Sequence, residues 1–228
     1  MNDDMMPHAA PPENQDSQDN QTGQDYQIQA PRYRIVEGTS PALEFECPPQ
    51  CQIKAAKGAF LAKAPAISVK PCDEFQGLDS YKNQSEETEI LYLSPSSIGS
   101  LLAFDMNLHR KGLVLSQASL FASTEQVDLS VLLDLELDGI SGAYRLYHVK
   151  GQTSQDDGVQ TDGIIVAFMS GDLFPLTLEG DDCLQVDARA LAAMEPSISF
   201  ELEQLTNGQY VASLTGPGRV LLQSMPTQ

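Results

Sequence analysis

Tryptophan is missing from this chain, and aromatic residues of all kinds make up only 7% of its 228 residues. A chain of this length buries on the order of 70% of its unfolded surface, so aliphatic and small side chains must fill its core. Histidine is nearly as scarce: His8 falls in a polar stretch, His109-Arg-Lys111 abuts Gly112 as an exposed turn does, and His148 follows Tyr147 on a strand-like run. No Gly-x-Ser-x-Gly, Gly-x-Gly-x-x-Gly or phosphate-loop pattern occurs, so neither an activated serine nor a nucleotide cradle is expected. Basic residues are absent from the first 30 positions and number 13 against 32 acids, for a formal net charge of −19. Phosphate backbones and anionic membrane surfaces require clustered Lys and Arg, and the densest groups here are Arg32/Arg34 and Lys54/Lys57/Lys63. No nucleic-acid partner is expected. No apolar run approaches the roughly 18 residues of a spanning helix, so no membrane insertion is expected either. The opening Met-Asn-Asp-Asp-Met-Met-Pro7 lacks the basic and apolar regions of a targeting signal. Together these absences suit a cytoplasmic protein of bacterial type.

The four cysteines, Cys47, Cys51, Cys72 and Cys183, include no Cys-x-x-Cys pair and have no histidine close by. They read as reduced thiols acting as small apolar side chains. The acid pairs Glu86-Glu87, Asp156-Asp157 and Asp181-Asp182 lack the spacing of a calcium loop and read as solvated. No catalytic residue, cofactor or metal ligand is therefore expected, and the chain reads as non-enzymatic.

What is present is organised. Residues 1–30 are rich in Gln, Asn, Asp and Pro, a composition that buries too little to offset ordering; they read as a disordered acidic tail, or as a tethered interaction arm. Residues 31–226 read as a single all-β domain with little helix. Leu43-Glu-Phe-Glu-Cys47, Ala143–Val149 and Ile198-Ser-Phe-Glu-Leu202 alternate as half-buried strands do. Ile90-Leu-Tyr-Leu93 is continuously apolar, as in a strand buried on both faces. Val131–Leu137 suits either a helix or a buried strand. Thr206-Asn-Gly-Gln209 reads as a type I′ hairpin turn, and Gly216-Pro-Gly218 as a tight turn before a closing strand at Arg219–Gln223. Pro71–Thr88 and Gly151–Gly163 are polar, turn-rich excursions. Asp187 caps at most one helical turn before Pro196, and Arg189 and Arg219 are placed to pin turns by pairing with acids.

Three segments resemble one another: Gly58-Ala-Phe-Leu-Ala-Lys-Ala-Pro-Ala-Ile67, Ala118-Ser-Leu-Phe-Ala-Ser-Thr-Glu-Gln-Val127 and Arg189-Ala-Leu-Ala-Ala-Met-Glu-Pro-Ser-Ile198. Each has a small residue second (Ala59, Ser119, Ala190), an apolar one third (Phe60, Leu120, Leu191) and Ala fifth (Ala62, Ala122, Ala193). Copies spaced 60 and 71 residues apart imply one folding unit used three times, over about residues 31–71, 88–150 and 162–226. Small residues such as Gly58 and Ala59 suit close backbone approach; a ligand pocket shared by the copies is the functional alternative.

Tyr33-Arg-Ile-Val-Glu37, Gly58-Ala-Phe-Leu-Ala62, Leu184–Ile198 and above all Leu214-Thr-Gly-Pro-Gly-Arg-Val-Leu-Leu-Gln-Ser224 resemble the family named for altered inheritance of mitochondria (its twenty-fourth member). That family is grouped with proteins similar to the tryptophan RNA-binding attenuator protein (TRAP-like). The resemblance covers about residues 32–224. It implies three similar antiparallel β-units with pseudo-threefold symmetry, in a sandwich or prism. It implies no catalytic motif, and the acidic chain does not carry the basic and aromatic pattern that RNA contact would need. The function expected is that of a β scaffold or protein-interaction module, binding an unknown protein partner or itself. The alternatives are a module binding a small ligand or cation in a cleft between units, and an enzyme of unrecognised type.

Overall fold

The structure, a computed structural model, describes residues 30–136, 143–153 and 163–225. The expected tail, all but its last residue, and the middle of the polar stretch Gly151–Gly163, with Asp156-Asp157, lie outside the described residues. The described chain is all-β apart from two single 3-10 turns, Gln117–Ser119 and Ala188–Ala190. Its first seven strands are β1 (Arg32–Val36), β2 (Ala42–Cys47), β3 (Gln52–Ala56), β4 (Phe60–Lys63), β5 (Ile67–Pro71), β6 (Leu78–Asn83) and β7 (Glu89–Leu93). Then follow β8 (Gly99–Asp105), β9 (Leu113–Ser116), β10 (Leu120–Thr124), β11 (Val127–Glu136), β12 (Ala143–Gly151) and β13 (Ile164–Ser170). The last six are β14 (Leu173–Leu178), β15 (Cys183–Asp187), β16 (Leu191–Met194), β17 (Ser199–Gln204), β18 (Tyr210–Thr215) and β19 (Gly218–Gln223).

They form four antiparallel sheets, in the orders β1-β2-β7-β4, β5-β6-β3-β10-β13-β8, β11-β12-β9-β16-β19-β14 and β15-β18-β17. One pattern recurs within them. The triplets β2-β7-β4, β8-β13-β10 and β14-β19-β16 are ordered alike, as are β5-β6-β3, β11-β12-β9 and β17-β18-β15. The second and third sheets are each a triplet of one kind joined to one of the other, through β3·β10 and β9·β16.

Three buried clusters lie between successive sheets. Leu43, Phe45 and Leu91 of the first sheet meet Ile53, Tyr81 and Val166 of the second. Ile165, Ala167 and Met169 of the second meet Leu115, Tyr147 and Ala193 of the third. Val114, Leu146 and Val220 of the third meet Val186, Ala212 and Leu214 of the fourth. The two inner sheets are thus apolar on both faces, because strand side chains alternate: Val114 enters one core while Leu113 and Leu115 enter another. β9, β10, β13 and β16 are covered on both faces, with Ile165–Ser170 of β13 all buried. The continuous apolar run in β7 is covered on one face only, with Leu91 and Leu93 buried and Ile90 and Tyr92 half-buried.

Several sequence-based expectations are met and others corrected. β2 alternates as read, burying Leu43, Phe45 and Cys47. Val131–Glu136 is strand, not helix, but it is mostly exposed along a sheet edge. The excursion Pro71–Thr88 contains β6, whose polar residues Ser80 and Lys82 face outward while Tyr81 enters the core. At Asn207-Gly208 only the glycine has positive φ, at 83°. The Asn207 carboxamide instead accepts from the Gln209 N–H at 3.0 Å, and Leu205–Gln209 closes as a five-residue loop with Leu205 N–H donating to Gln209 O. A type I′ turn needs positive φ at both central residues; the side-chain bond lets Asn207 avoid it.

Asp187 accepts from the Arg189 N–H at 2.9 Å and from its guanidinium at 3.1 and 2.7 Å. These hydrogen bonds hold its carboxyl below the usual carboxylate range. A folded-state pKa that is depressed adds stability in full above the ordinary Asp value of about 3.9 and loses it as pH falls through the depressed value. Asp187→Asn is therefore expected to lower the urea midpoint near neutral pH and to converge with the parent in acid. Equal midpoints at neutral pH would show that this cap contributes nothing.

Candidate interaction site

The three similar segments fall at one place in the recurring pattern. Each leads through a tight turn into a short strand: Gly58 into β4, Ala118-Ser119 into β10, and Arg189-Ala190 into β16. Each strand then carries a bulge at the same aligned position. Pairing shifts between Phe60 and Ala62, between Leu120 and Ala122, and between Leu191 and Ala193. The apolar third residue and the fifth-position alanine are the two sides of that bulge. In two of the copies the alanine lies against the neighbouring triplet, Ala122 opposite Ala55 and Ala193 opposite Leu115.

Two different causes lie behind the glycines. Gly58 has φ +86° with nothing within 4 Å of where a Cβ would stand, so its turn conformation, not crowding, calls for glycine. Gly216 and Gly218 are crowded: a Cβ would lie 3.0 Å from Gly180 O in one case and 2.8 Å from Ser197 Oγ in the other. Among the small residues, Ala59 and Ser119 are buried, Ala190 is half-buried and Ala118 is exposed. Arg189 pins the turn at Asp187; Arg219 approaches Glu195 only at 4.0 Å, both exposed. Gly58, Ala59 and Ala118 line a shallow hollow of about 200 Å³, but Arg189 and Ala190 are not part of it.

The decisive difference among the copies is what covers them. β10 is paired on both sides, by β3 and β13, and β16 by β9 and β19. β4 pairs with β7 alone and ends the first sheet, while β15 pairs with β18 alone and ends the fourth. Leu120 and Phe121 are 2% and 4% exposed, and Leu191 and Ala192 1% and 0%; the matching Phe60 and Leu61 stand 51% and 56% exposed. A joint made twice inside the chain thus has one half left over at each end. A pseudo-threefold arrangement would close through pairing of β15 with β4, and these two strands end different sheets. Lys57 and Lys63 flank β4, whereas Asp181 and Asp182 precede β15, so the two edges also differ in charge.

The thiols play separate parts. Cys47 and Cys51 are buried, Cys72 is half-buried and Cys183 is exposed on the β15 edge. Cys183 thus departs from the expected role of an apolar filler. Its contact with Cys47, followed by burial, pushes the Cys51 thiol up, which keeps it neutral and inert. Among the described residues, no three His, Cys, Asp or Glu side chains come together as metal ligands, and no helix is long and apolar enough to cross a membrane. The grouping Lys54/Lys57/Lys63 is dispersed. Lys54 lies on the outward face of β3, facing a cleft of about 670 Å³ where Lys70 and Lys82 join it. That convergence was not visible in the sequence.

Residues 33–225 match the family model described as mitochondrial biogenesis AIM24. Among solved structures, a Streptococcus pyogenes protein determined by X-ray crystallography in a structural genomics programme is similar, with a TM-score of 0.69 and 14% identity. The similarity covers 86% of this chain and 94% of that one, and at such low identity it speaks for the shared fold alone. No curated protein matches the chain.

Proposed function

This chain belongs to the mitochondrial biogenesis AIM24 family, and from that premise we propose that it acts as a non-enzymatic β scaffold whose three similar units continue into further copies of itself. Each unit comprises two strand triplets, and neighbouring units join by pairing a β3-type strand with a β4-type strand. The observation that carries this reading is the exposure of Phe60 and Leu61 at a position that is buried in the other two units. In the assembly, β15 of one copy lies antiparallel to β4 of the next. By analogy with Ala122 opposite Ala55 and Ala193 opposite Leu115, Ala62 then faces Val186 and Lys63 faces Gln185. The contact uses different surfaces on the two partners, so the assembly is a ring or a filament according to whether the rotation closes. Unpaired, apolar sheet edges are hazards that proteins normally block with charge, proline or cover; β14, another edge, carries Pro175, but β4 has only Lys63 at its end. Sedimentation velocity on the full chain is expected to give a mass that rises with concentration above that of one chain. A constant single-chain mass up to high concentration would count against the proposal.

A further inference from the structure

The cleft at Lys54, Lys70 and Lys82 lies away from both open edges. Its floor is the outward face of β3, β6 and β5. In one row Lys54 is opposite Ser80, which is opposite Lys70; in the next, Gln52 is opposite Lys82, which is opposite Ser68. Antiparallel strands are about 4.8 Å apart, so Lys82 stands diagonal to both other lysines, and the three lysine positions flank Ser80. No carboxylate shares these two rows. In a chain with 13 basic residues and a net charge of −19, three lysines on six adjacent positions repel one another, and among the described residues only one of them is within ion-pair distance of a carboxylate. Lys54 is 3.6 Å from Glu74 and lies over the Phe75 ring at 5.2 Å, while Phe75 is fixed edge-on against Tyr147 at 5.9 Å. Lys70 and Lys82 make no ion pair among the described residues. Ser80 Oγ accepts from Gln52 Nε2 at 2.9 Å, leaving its own O–H to donate.

The equivalent rows elsewhere differ. Counting four residues back from the start of each similar segment, the row Lys54–Ser80–Lys70 corresponds to Val114–His148–Ser130 and to Gln185–Ser213–Glu201. Only the first unit is cationic here, so the charge is not needed to build the fold. The opposite wall is also held: Gln152 Nε2 donates to Glu125 O at 3.1 Å and to Asp128 Oδ1 at 3.0 Å. With Asp73 and Glu74, these acids rim the cleft.

The geometry points to a binding site for a small dianion, with a phosphoryl group seated over Ser80 between Lys70 and Lys82 and the Ser80 hydroxyl donating to it. Two ammonium groups without a contact ion pair match two negative charges, and charge-assisted hydrogen bonds are the strong ones. The acidic rim repels a polyanion, which must cross it, far more than an ion small enough to enter whole. This site is independent of the assembly proposed above, since none of its floor residues lies on β4 or β15.

The test is calorimetric titration of the full chain with inorganic phosphate, glucose 6-phosphate and a single-stranded RNA oligonucleotide at physiological salt. Inorganic phosphate is expected to bind saturably, and Lys70→Gln/Lys82→Gln to weaken it by about tenfold or more, while Lys57→Gln/Lys111→Gln stays within about twofold. Tighter binding of glucose 6-phosphate than of phosphate assigns the site to a phosphate monoester, and equal binding assigns it to the free ion; either supports the proposal. No saturable phosphate binding at millimolar concentration, unchanged binding in the Lys70/Lys82 variant, or tighter RNA binding through the same lysines overturns it. Circular dichroism of both variants, on an exposed face, is expected to match the parent.

Discussion

Replacing both Phe60 and Leu61 with lysine is expected to abolish self-association while leaving the fold intact. Both side chains are about half exposed in the single chain, and each aligned residue in β10 and β16 is buried, in strands paired on both sides. Burying a large apolar side chain is worth roughly 1.5–3 kcal/mol, and 1.4 kcal/mol is a factor of about ten in affinity. Losing two such contacts, even after discounting for their partial burial in the single chain, weakens association by about 100-fold or more. Placing two ammonium groups against Lys63 on the same edge adds repulsion. Sedimentation velocity reads the association, and far-UV circular dichroism with a urea melt reads the fold. If the double variant associates as the parent does, the β4 edge is not the interface. Leu108→Lys, another exposed apolar residue away from β4, serves as the control and is expected to associate normally.

The second large effect concerns stability. Phe45→Ala is expected to lose about 3–5 kcal/mol, the usual cost of emptying a phenylalanine site in a packed core. That is a large share of the 5–15 kcal/mol typical of a folded domain. Phe45 has no exposed surface and lies between the first two sheets, with the Tyr33 ring 6.4 Å away. Tyr33 is on the edge strand β1, whose Ile35 packs against the same cluster. Phe174→Ala, at a site 51% exposed, is expected to change stability by no more than about 0.5 kcal/mol. Urea unfolding of the three proteins checks both figures. Equal losses at the two sites would mean that the space between the first and second sheets is not a core.

How much of this was legible in the sequence follows from what kind of contact each feature depends on. The alternation of Leu43, Phe45 and Cys47 was readable because one strand with one buried face writes its own period. The three similar segments were readable because the bulge demands an apolar residue before it and, where a neighbouring triplet presses close, an alanine after it. Asp187 was readable as a cap because its partner, the N–H of Arg189, is two residues away. β7 reads as buried on both faces and is covered on one, because an apolar run does not reveal whether a second sheet will cover its other face. The lysine-floored cleft was invisible for a related reason. Lys54, Lys70 and Lys82 are spread over a long stretch of chain and meet only through the register of β3 with β6 and of β6 with β5. The tempting local group, Lys54, Lys57 and Lys63, spans a turn and a strand that points it in different directions. The open ends at β4 and β15 are likewise a property of pairing: the segment at Gly58 reads like its two counterparts and differs only in what lies beside it.

The joint between copies is most directly tested by site-specific cross-linking. Lys63→Cys and Gln185→Cys, each in a Cys183→Ser background, are purified separately and mixed under mild oxidation. Directly opposed residues of antiparallel strands have Cα atoms about 4.5–5.5 Å apart, within disulfide reach. The account predicts a disulfide-linked dimer in the mixture that depends on both new cysteines and is absent when either variant is oxidised alone. No cross-link in the mixture, or one between two Lys63→Cys chains, would contradict it.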